Sequence, residues 1–404
     1  MTFPASSFGP DAAAAKAGSA GRAARALAGL LPQLPQGRLR LTLPNGEAVV
    51  SGGIAPGPSA SLRLRRWRGL ARIALEGEEG FSNGYIDGDW TTPDLVELLA
   101  LGKDNETAVA PAAKRWLLSF MHNRLAHALR ANTRRGSRRN IAAHYDLGND
   151  FFRLWLDAGM NYSAALFSGE DSLEDAQTRK IDRIADLLAV EEGDRVLEIG
   201  CGWGAFAERL IRRHGALVCG ITLSVEQLAY AKARLADTAR ADLRLADYRD
   251  IAGSFNRIAS IEMIEAVGER YWPLYFDTLR ACLAKGGIAV IQAITVAEDR
   301  FAAYRKRPDF IQRRIFPGGM LPTRAIIAGE AARAGLKLVH HEAFGSSYAR
   351  TLQEWRRRFA AAAPQLNGLG FDRRFRRMWQ YYLSYCEVGF RSGAVNVGLY
   401  KFEG

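Results

Sequence analysis

Cysteine is scarce and scattered. The four residues present (Cys201, Cys219, Cys282 and Cys386) form no CxxC pair among 404, which argues against a zinc site or a disulfide framework and fits a reducing cytoplasm. Histidine is equally thin: six residues, none in an HxxxH pattern, so no metal site is expected. No apolar run reaches the length of about 18 residues that a membrane-spanning helix needs. The N-terminus is Ala/Gly-rich and lacks the compact apolar core of a signal peptide, and reads as a loose lead-in followed by a short helix. Acidic residues are outnumbered, 43 against 55 Lys and Arg, giving a net charge of +12 and a pI near 9.7. Such a balance points to a polyanionic partner, either nucleic acid or an anionic membrane surface.

What is present is ordinary globular material, 48% hydrophobic and 24% charged, in a chain long enough for two domains. From about residue 38 to 78, LRLTLP, AVVSGGI, ASLRLRRW and ARIALEG alternate as strands do. GFSNGYIDGDWTTPDLVELLAL (80–101) is turn-rich and leads into a helix, with Thr92 as its cap and Pro93 in its first turn. Residues 1–100 are therefore expected to form a smaller N-terminal α+β domain, and 101–140 a basic helical linker. Within the linker, 111–139 is an amphipathic helix that either docks on the core or lies on a membrane surface. Residues 141–404 form the main domain. From about 180 strands and helices alternate: DRVLEIG, AFAERLIRRHG, ALVCGITL, SVEQLAYAKARLAD, ADLRLADYRDI, FNRIASIEMI, YWPLYFDTLRACL, GGIAVIQAI. That alternation predicts an α/β fold with a doubly wound parallel sheet.

Ligands in such sheets bind beyond the carboxyl ends of the strands. Glu198, Gly200, Gly202 and Gly204 lie there, between the first strand and its helix. A lone GxGxG also suits a dinucleotide. EIGCGWG, with Glu198 directly before the glycines, is the form typical of S-adenosylmethionine enzymes, its carboxylate facing the cationic methionine end. After the second strand, Gly220, Thr222, Ser224 and Gln227 stand where a dehydrogenase would place an acidic residue. Asp247, Tyr248 and Arg249 end the third strand, where an adenine ring would lie, with Tyr248 as a flat wall.

The chain resembles the cyclopropane-fatty-acid synthase family, including the mycolic acid cyclopropane synthases. The resemblance rests on AAHYDLGNDFFRLWLD, MNYSAALF, VLEIGCGWG, GITLSVEQLAYAKARL, IEAVGERYWPLYF, IFPGGMLPT and SSYARTLQEWRRRF, in family order through most of 140–395. GYIDGDW (84–90) resembles the N-terminal domain of the members that act on phospholipids. The resemblance implies a class I S-adenosylmethionine methyltransferase with a seven-stranded Rossmann-like sheet. It implies cofactor contacts at Tyr162, Ser163, Gly200, Gly202, Thr222, Gln227, Tyr248 and Arg249. The substrate would be a cis-alkene in the acyl chain of a membrane phospholipid, met at the cytoplasmic face of an anionic membrane. A homodimer is a further implication. In the family's mechanism the alkene attacks the sulfonium methyl, and a bound bicarbonate takes a proton so that a cyclopropane closes.

The bicarbonate pocket departs from the family pattern. Glu265, Ile294 and Tyr348 match it, but the family's Cys is Ala164 and its His is Gln292. The Cys and Ile contacts are made through main chain, so Gln292 is the larger change: an amide hydrogen-bonds but carries no charge. Methyl transfer is expected to survive, whereas the fate of the cation is open between a cyclopropane and a methyl-branched, unsaturated chain. Phe301, Tyr304, Phe310, Ile315, Phe316, Met320, Trp355, Trp379, Tyr381, Tyr382 and Tyr385 are candidates for an acyl tunnel or for core. Arg356–Arg358 and Arg373, Arg374, Arg376 and Arg377 meet lipid phosphates or are solvated helix faces. No nucleic-acid partner is expected, since the chain has no (D/N/S)PP(Y/F) element, no Pro-Cys nucleophile and no recognisable RNA-binding module. A small-molecule N-methyltransferase or a non-catalytic lipid-binding relative are the competing readings.

Overall fold

The computed structural model describes residues 21, 25, 33–53, 55–108 and 147–404. The expected amphipathic helix at 111–139 lies outside the described residues. The main sheet has seven strands: β5 (Arg195–Ile199), β6 (Leu217–Thr222), β7 (Ala241–Leu245), β8 (Phe255–Ile261), β9 (Leu283–Val296), β10 (Lys337–Ala343) and β11 (Val395–Glu403), in the order β10-β11-β9-β8-β5-β6-β7. The β6–β5–β8–β9 pairings are parallel, and β11 alone runs against its two neighbours. Helices Ala205–His214, Val225–Arg234 and Trp272–Cys282 connect the strands as the alternation predicts. This is the class I S-adenosylmethionine methyltransferase fold.

The N-terminal unit carries a second sheet, β2 (Ala48–Gly52), β1 (Gln36–Thr42), β3 (Ala55–Leu64) and β4 (Trp90–Thr91), in that order. Asn45-Gly46 turns β1 into β2, with Gly46 at φ +87°, the residue type such hairpins need. Two segments differ from their expected forms. ARIALEG is not a strand but the end of the helix Trp67–Glu76. Ile73 and Leu75 imitate an alternating pattern, yet Leu70, Ile73, Ala74 and Gly77 all face the cavity described below, at helical spacing. GFSNGYI lies within the helix Glu78–Ile86, its glycines serving close approach: a Cβ on Gly84 would fall 2.9 Å from the Trp90 ring. The next helix begins at Leu95, not at Thr92. Its cap is Asp94, whose carboxylate accepts from both Val96 N–H and Glu97 N–H, while Thr92 Oγ1 donates to Asp94 O. That helix runs to Asp104, across the boundary expected at 100.

GYIDGDW is the fastening between the units. Asp89 is fully buried and accepts from Arg68 at 2.6 Å and Arg72 at 3.0 Å. Arg377, on the long helix Arg373–Arg391, donates to Tyr85 O and Trp90 O at 2.6 and 3.0 Å and lies over the Tyr85 ring. Arg374 pairs with Asp87. Arg356, Arg357 and Arg358 are likewise paired, with Glu387, Glu354 and Glu174. Arg356, Arg358, Arg376 and Arg377 are part-buried struts, which corrects their reading as phosphate ligands, whereas Arg357, Arg373 and Arg374 are exposed and lie on solvated helix faces.

Candidate active site

The cofactor end is built mainly from backbone. Gly200, Gly202 and Gly204 hold φ at +86°, +50° and +84°, left-handed values that a Cβ resists. Gly200 N–H and Cys201 N–H both donate to Ile221 O at 2.9 Å, pinning the loop to the end of β6. A Cβ on Gly200 would sit 3.3 Å from Met263 Cγ, whereas one on Gly202 would enter open space. Glu198 closes the floor. It is buried, its Oε2 has no hydrogen-bond partner, and burial raises its pKa to about 8 against the pull of the Lys180 cation. Thr222 Oγ1 donates to Gln227 Oε1 at 2.9 Å and accepts from Ser224 N–H, which fixes both side chains on the same wall. Tyr248 lines the wall beyond them. Arg249 does not line it: its guanidinium pairs with Asp247 and lies near the faces of Tyr248 and Tyr271, so it orients the tyrosine from behind.

Tyr162 and Ser163 reach the cavity from the loop after Met160. The buried rings of Phe152, Trp155 and Trp355 surround Tyr162 at 5.5, 5.4 and 5.3 Å, and its hydroxyl meets Tyr382 OH at 2.8 Å. Ser163 Oγ accepts from Lys180 Nζ at 2.7 Å. Sequence reading missed Lys180. It is buried on the apolar face of the helix Leu173–Leu188, and burial lowers its pKa to about 8 while Glu262, Asp157 and Glu198 pull it back up. The signal was available: a lysine four residues from both Ala176 and Ile184 on a helix stripe otherwise apolar.

At the acceptor end the residues expected around an anion do come together, but about another residue. Glu262 follows β8 with φ +49°, a conformation costing about 1–3 kcal/mol in a residue with a Cβ. Its Oε1 accepts from Ala164 N–H and from Gln292 Nε2, both at 2.7 Å, and its Oε2 from Tyr348 OH at 2.7 Å. Gln292 also lies 3.4 Å from Ala164 O. Burial raises the pKa of Glu262, and burial together with the Glu262 charge raises that of Tyr348. Glu265 also lines the cavity: Oε1 takes Ile294 N–H at 2.5 Å, Oε2 is buried without a partner, and burial with the Glu262 charge raises its pKa to about 8. A bicarbonate does not fit this arrangement, because the donors meant for it already hold a carboxylate of the chain.

One cavity of about 1580 Å³ joins the two ends and continues to the N-terminal unit, where Leu70, Ile73, Phe81, Leu98 and Leu99 line it. Of the expected tunnel residues, Tyr304, Phe316, Met320, Tyr381, Tyr382 and Tyr385 line the cavity. Phe310, Ile315, Trp355 and Trp379 are buried in one core cluster, and Phe301 packs against the other, beside Trp272.

Residues 132–400 match the family described as mycolic acid cyclopropane synthetase. Tuberculostearic acid methyltransferase UfaA1 of Mycobacterium tuberculosis is 41% identical over 89% of this chain and 86% of its own length. Cyclopropane-fatty-acyl-phospholipid synthase of Escherichia coli is 33% identical over 85% of this chain and 87% of its own. Among solved structures, the cyclopropane synthase MmaA2 from Mycobacterium tuberculosis superposes with a TM-score of 0.63 at 30% identity, over 66% of this chain and 98% of that one. Mycolic acid cyclopropane synthase CmaA1, solved in complex with SAH and CTAB, gives 0.62 at 29%, with 66% and 98% covered. S-adenosylmethionine fits the cofactor end on the chain's own geometry: a glycine cradle open to the cavity and, beneath it, an unpartnered buried carboxylate oxygen suited to an ammonium group. The cofactor is S-adenosylmethionine, and the chain belongs to the mycolic acid cyclopropane synthetase family, enzymes that transfer its methyl group to lipid acyl chains.

Proposed function

We propose that this enzyme methylates the cis double bond of an unsaturated acyl chain carried by a membrane phospholipid, releasing a methyl-branched chain that keeps one double bond. The observation that carries this reading is the continuity of the cavity, from the glycine loop past Glu262 to apolar side chains of the N-terminal helices. An acyl chain leaving a bilayer loses roughly 0.8 kcal/mol per methylene if it meets water, so it needs a continuous cavity that offers it apolar side chains along its length. Beside the path, the helix Trp67–Glu76 exposes Trp67 and Leu75, and Arg305, Lys306 and Arg307 form an exposed basic row. Apolar tips flanked by cations suit an anionic membrane surface, and the net charge of +12 agrees. Among the described residues no helix is long and apolar enough to cross a membrane.

When bound, S-adenosylmethionine supplies an electrophilic methyl group. The protein holds the alkene against it, excludes water, and surrounds the reaction centre with the ring faces of Tyr162, Phe316 and Tyr382 and the charge of Glu262. Aromatic faces and a carboxylate both stabilise positive charge. A methyl-branched outcome agrees with the likeness to a tuberculostearic acid methyltransferase. Mass spectrometry of membrane fatty acids from cells expressing the chain, fed methyl-labelled methionine, tests the reading. A labelled chain that still takes up hydrogen at one double bond is expected. A labelled, hydrogenation-resistant cyclopropane would overturn the branched product, and unlabelled lipids would overturn the substrate.

A further inference from the structure

Glu262 is placed where the fold itself needs no carboxylate. It is a charged residue in a left-handed conformation at the carboxyl end of a central strand, the position where ligands of such sheets bind. A residue persists in that conformation only when its surroundings over-determine it. Here three donors from distant parts of the chain do so: Ala164 N–H, the Gln292 amide and Tyr348 OH. An ionised carboxylate accepts at roughly four positions, so the side chain, which lines the cavity, keeps acceptor capacity for a further proton. The second carboxylate at this end, Glu265, lines the same cavity but is held by one donor where Glu262 is held by three. Glu265 spends one oxygen on Ile294 N–H, and its other is buried.

We infer that Glu262 is the catalytic base of the reaction and that its carboxylate takes the place of a bound bicarbonate. The inference rests on the methyl-transfer reading above and adds the residue that ends the reaction. The alkene π pair forms a C–C bond to the methyl group, the old S–C pair stays on sulfur, and the acyl chain is left as a carbocation. Glu262 then accepts a proton from a carbon next to the cationic centre, and that C–H pair becomes the new double bond. The neutral carboxyl group returns the proton to water once the product has left. Its tether also restricts which proton it reaches, where a freely bound anion would not be so restricted.

The experiment uses the full chain with methyl-labelled S-adenosylmethionine and vesicles of dioleoyl phosphatidylglycerol, in buffer stripped of carbon dioxide. Wild-type enzyme is expected to make product at the same rate without bicarbonate as with millimolar bicarbonate added. Glu262→Gly, which suits φ +49° and opens the anion site, should lose at least about 100-fold in turnover, the scale of a missing general base. Added bicarbonate or formate should restore a measurable part of that loss. Glu262→Gln keeps the site filled and should be as inactive, with no rescue. Calorimetry should show both variants binding S-adenosylmethionine within about threefold of wild type, separating loss of the base from loss of the fold. A wild-type rate that climbs with bicarbonate would overturn the inference without the use of any variant, as would full activity of Glu262→Gly in stripped buffer. Enzyme that binds the cofactor yet labels no lipid in either buffer would instead overturn the lipid reading, and this inference with it.

Discussion

The two ends of the cavity are built on opposite plans. At the cofactor end the shape is carried by consecutive residues, Glu198 to Gly204, whose main chain leaves room for a ligand and pins itself to Ile221. At the acceptor end three side or main chains from across the fold (Ala164, Gln292 and Tyr348) converge on the Glu262 carboxylate. The first plan fixes a shape and so tolerates little change within the motif. The second fixes a charge, and the charge is supplied by the chain where a bound anion was expected. An enzyme can therefore keep its cofactor chemistry while its proton chemistry is reassigned.

The largest break in the comparison should come from Gly200→Val. A β-branched residue at φ +86°, with its Cβ 3.3 Å from Met263 Cγ, cannot keep this loop in place. Strain of about 1–3 kcal/mol predicts a loss of S-adenosylmethionine affinity of up to about 100-fold, measurable by calorimetry. Affinity within threefold of wild type would show that the loop is not held by its glycine conformations.

Proton linkage at the cofactor end gives a smaller, graded effect. Glu198 has its pKa raised to about 8 by burial, so near pH 7 it is mostly protonated before a cationic ligand arrives. The ligand favours the ionised form, so binding should release a proton. Affinity should rise with pH by up to about tenfold per unit below pH 8, then level off. The protein without cofactor should show the opposite trend in stability. A carboxylate whose folded pKa exceeds its unfolded value binds more protons folded than unfolded between the two, so Glu198 and Glu265 lower stability as pH climbs from about 4.5 to about 8. Calorimetry in buffers of different ionisation enthalpy reads the proton directly, and equal observed heats in all of them would remove Glu198 from the linkage.

The same contrast explains what was legible in the sequence. Strands β5 to β9 and the loop were readable because each strand–helix pair is contiguous and carries its own periodicity, whereas β10 and β11, which follow long helical stretches, were not read from the residues. ARIALEG misled because Ile73 and Leu75 alternate over too short a span to separate a period of 2 from 3.6, and only packing of Leu70 and Ala74 along the cavity decides it. GFSNGYI read as turns because its glycines are poor helix formers, and what makes it a helix is close contact with Trp90. Glu262 was passed over in favour of Glu265, three residues on. Both follow the same strand, and nothing local shows that Gln292, 30 residues away, aims its amide at the first. Glu262 did carry a visible sign, the one Glu198 carries: an acidic residue at the end of a buried parallel strand.

The smallest expected effect is the one that best separates the two accounts of the acceptor end. If the fate of the cation were set by the absence of an imidazole, Gln292→His would restore ring closure. If it is set by Glu262, the substitution changes only a donor. A histidine N–H can replace the Gln292 Nε2–H that now reaches Glu262 Oε1 at 2.7 Å, and the carboxylate stays where its strained backbone and the Ala164 N–H put it. The Gln292 Oε1 buried without a partner also disappears, which offsets part of the misfit of a ring. Turnover should fall by less than about tenfold, because one hydrogen-bond donor is exchanged for another and not removed, and the labelled product should stay methyl-branched by mass spectrometry. Appearance of cyclopropane in Gln292→His would return control of the reaction to position 292 and leave Glu262 a holder of charge alone.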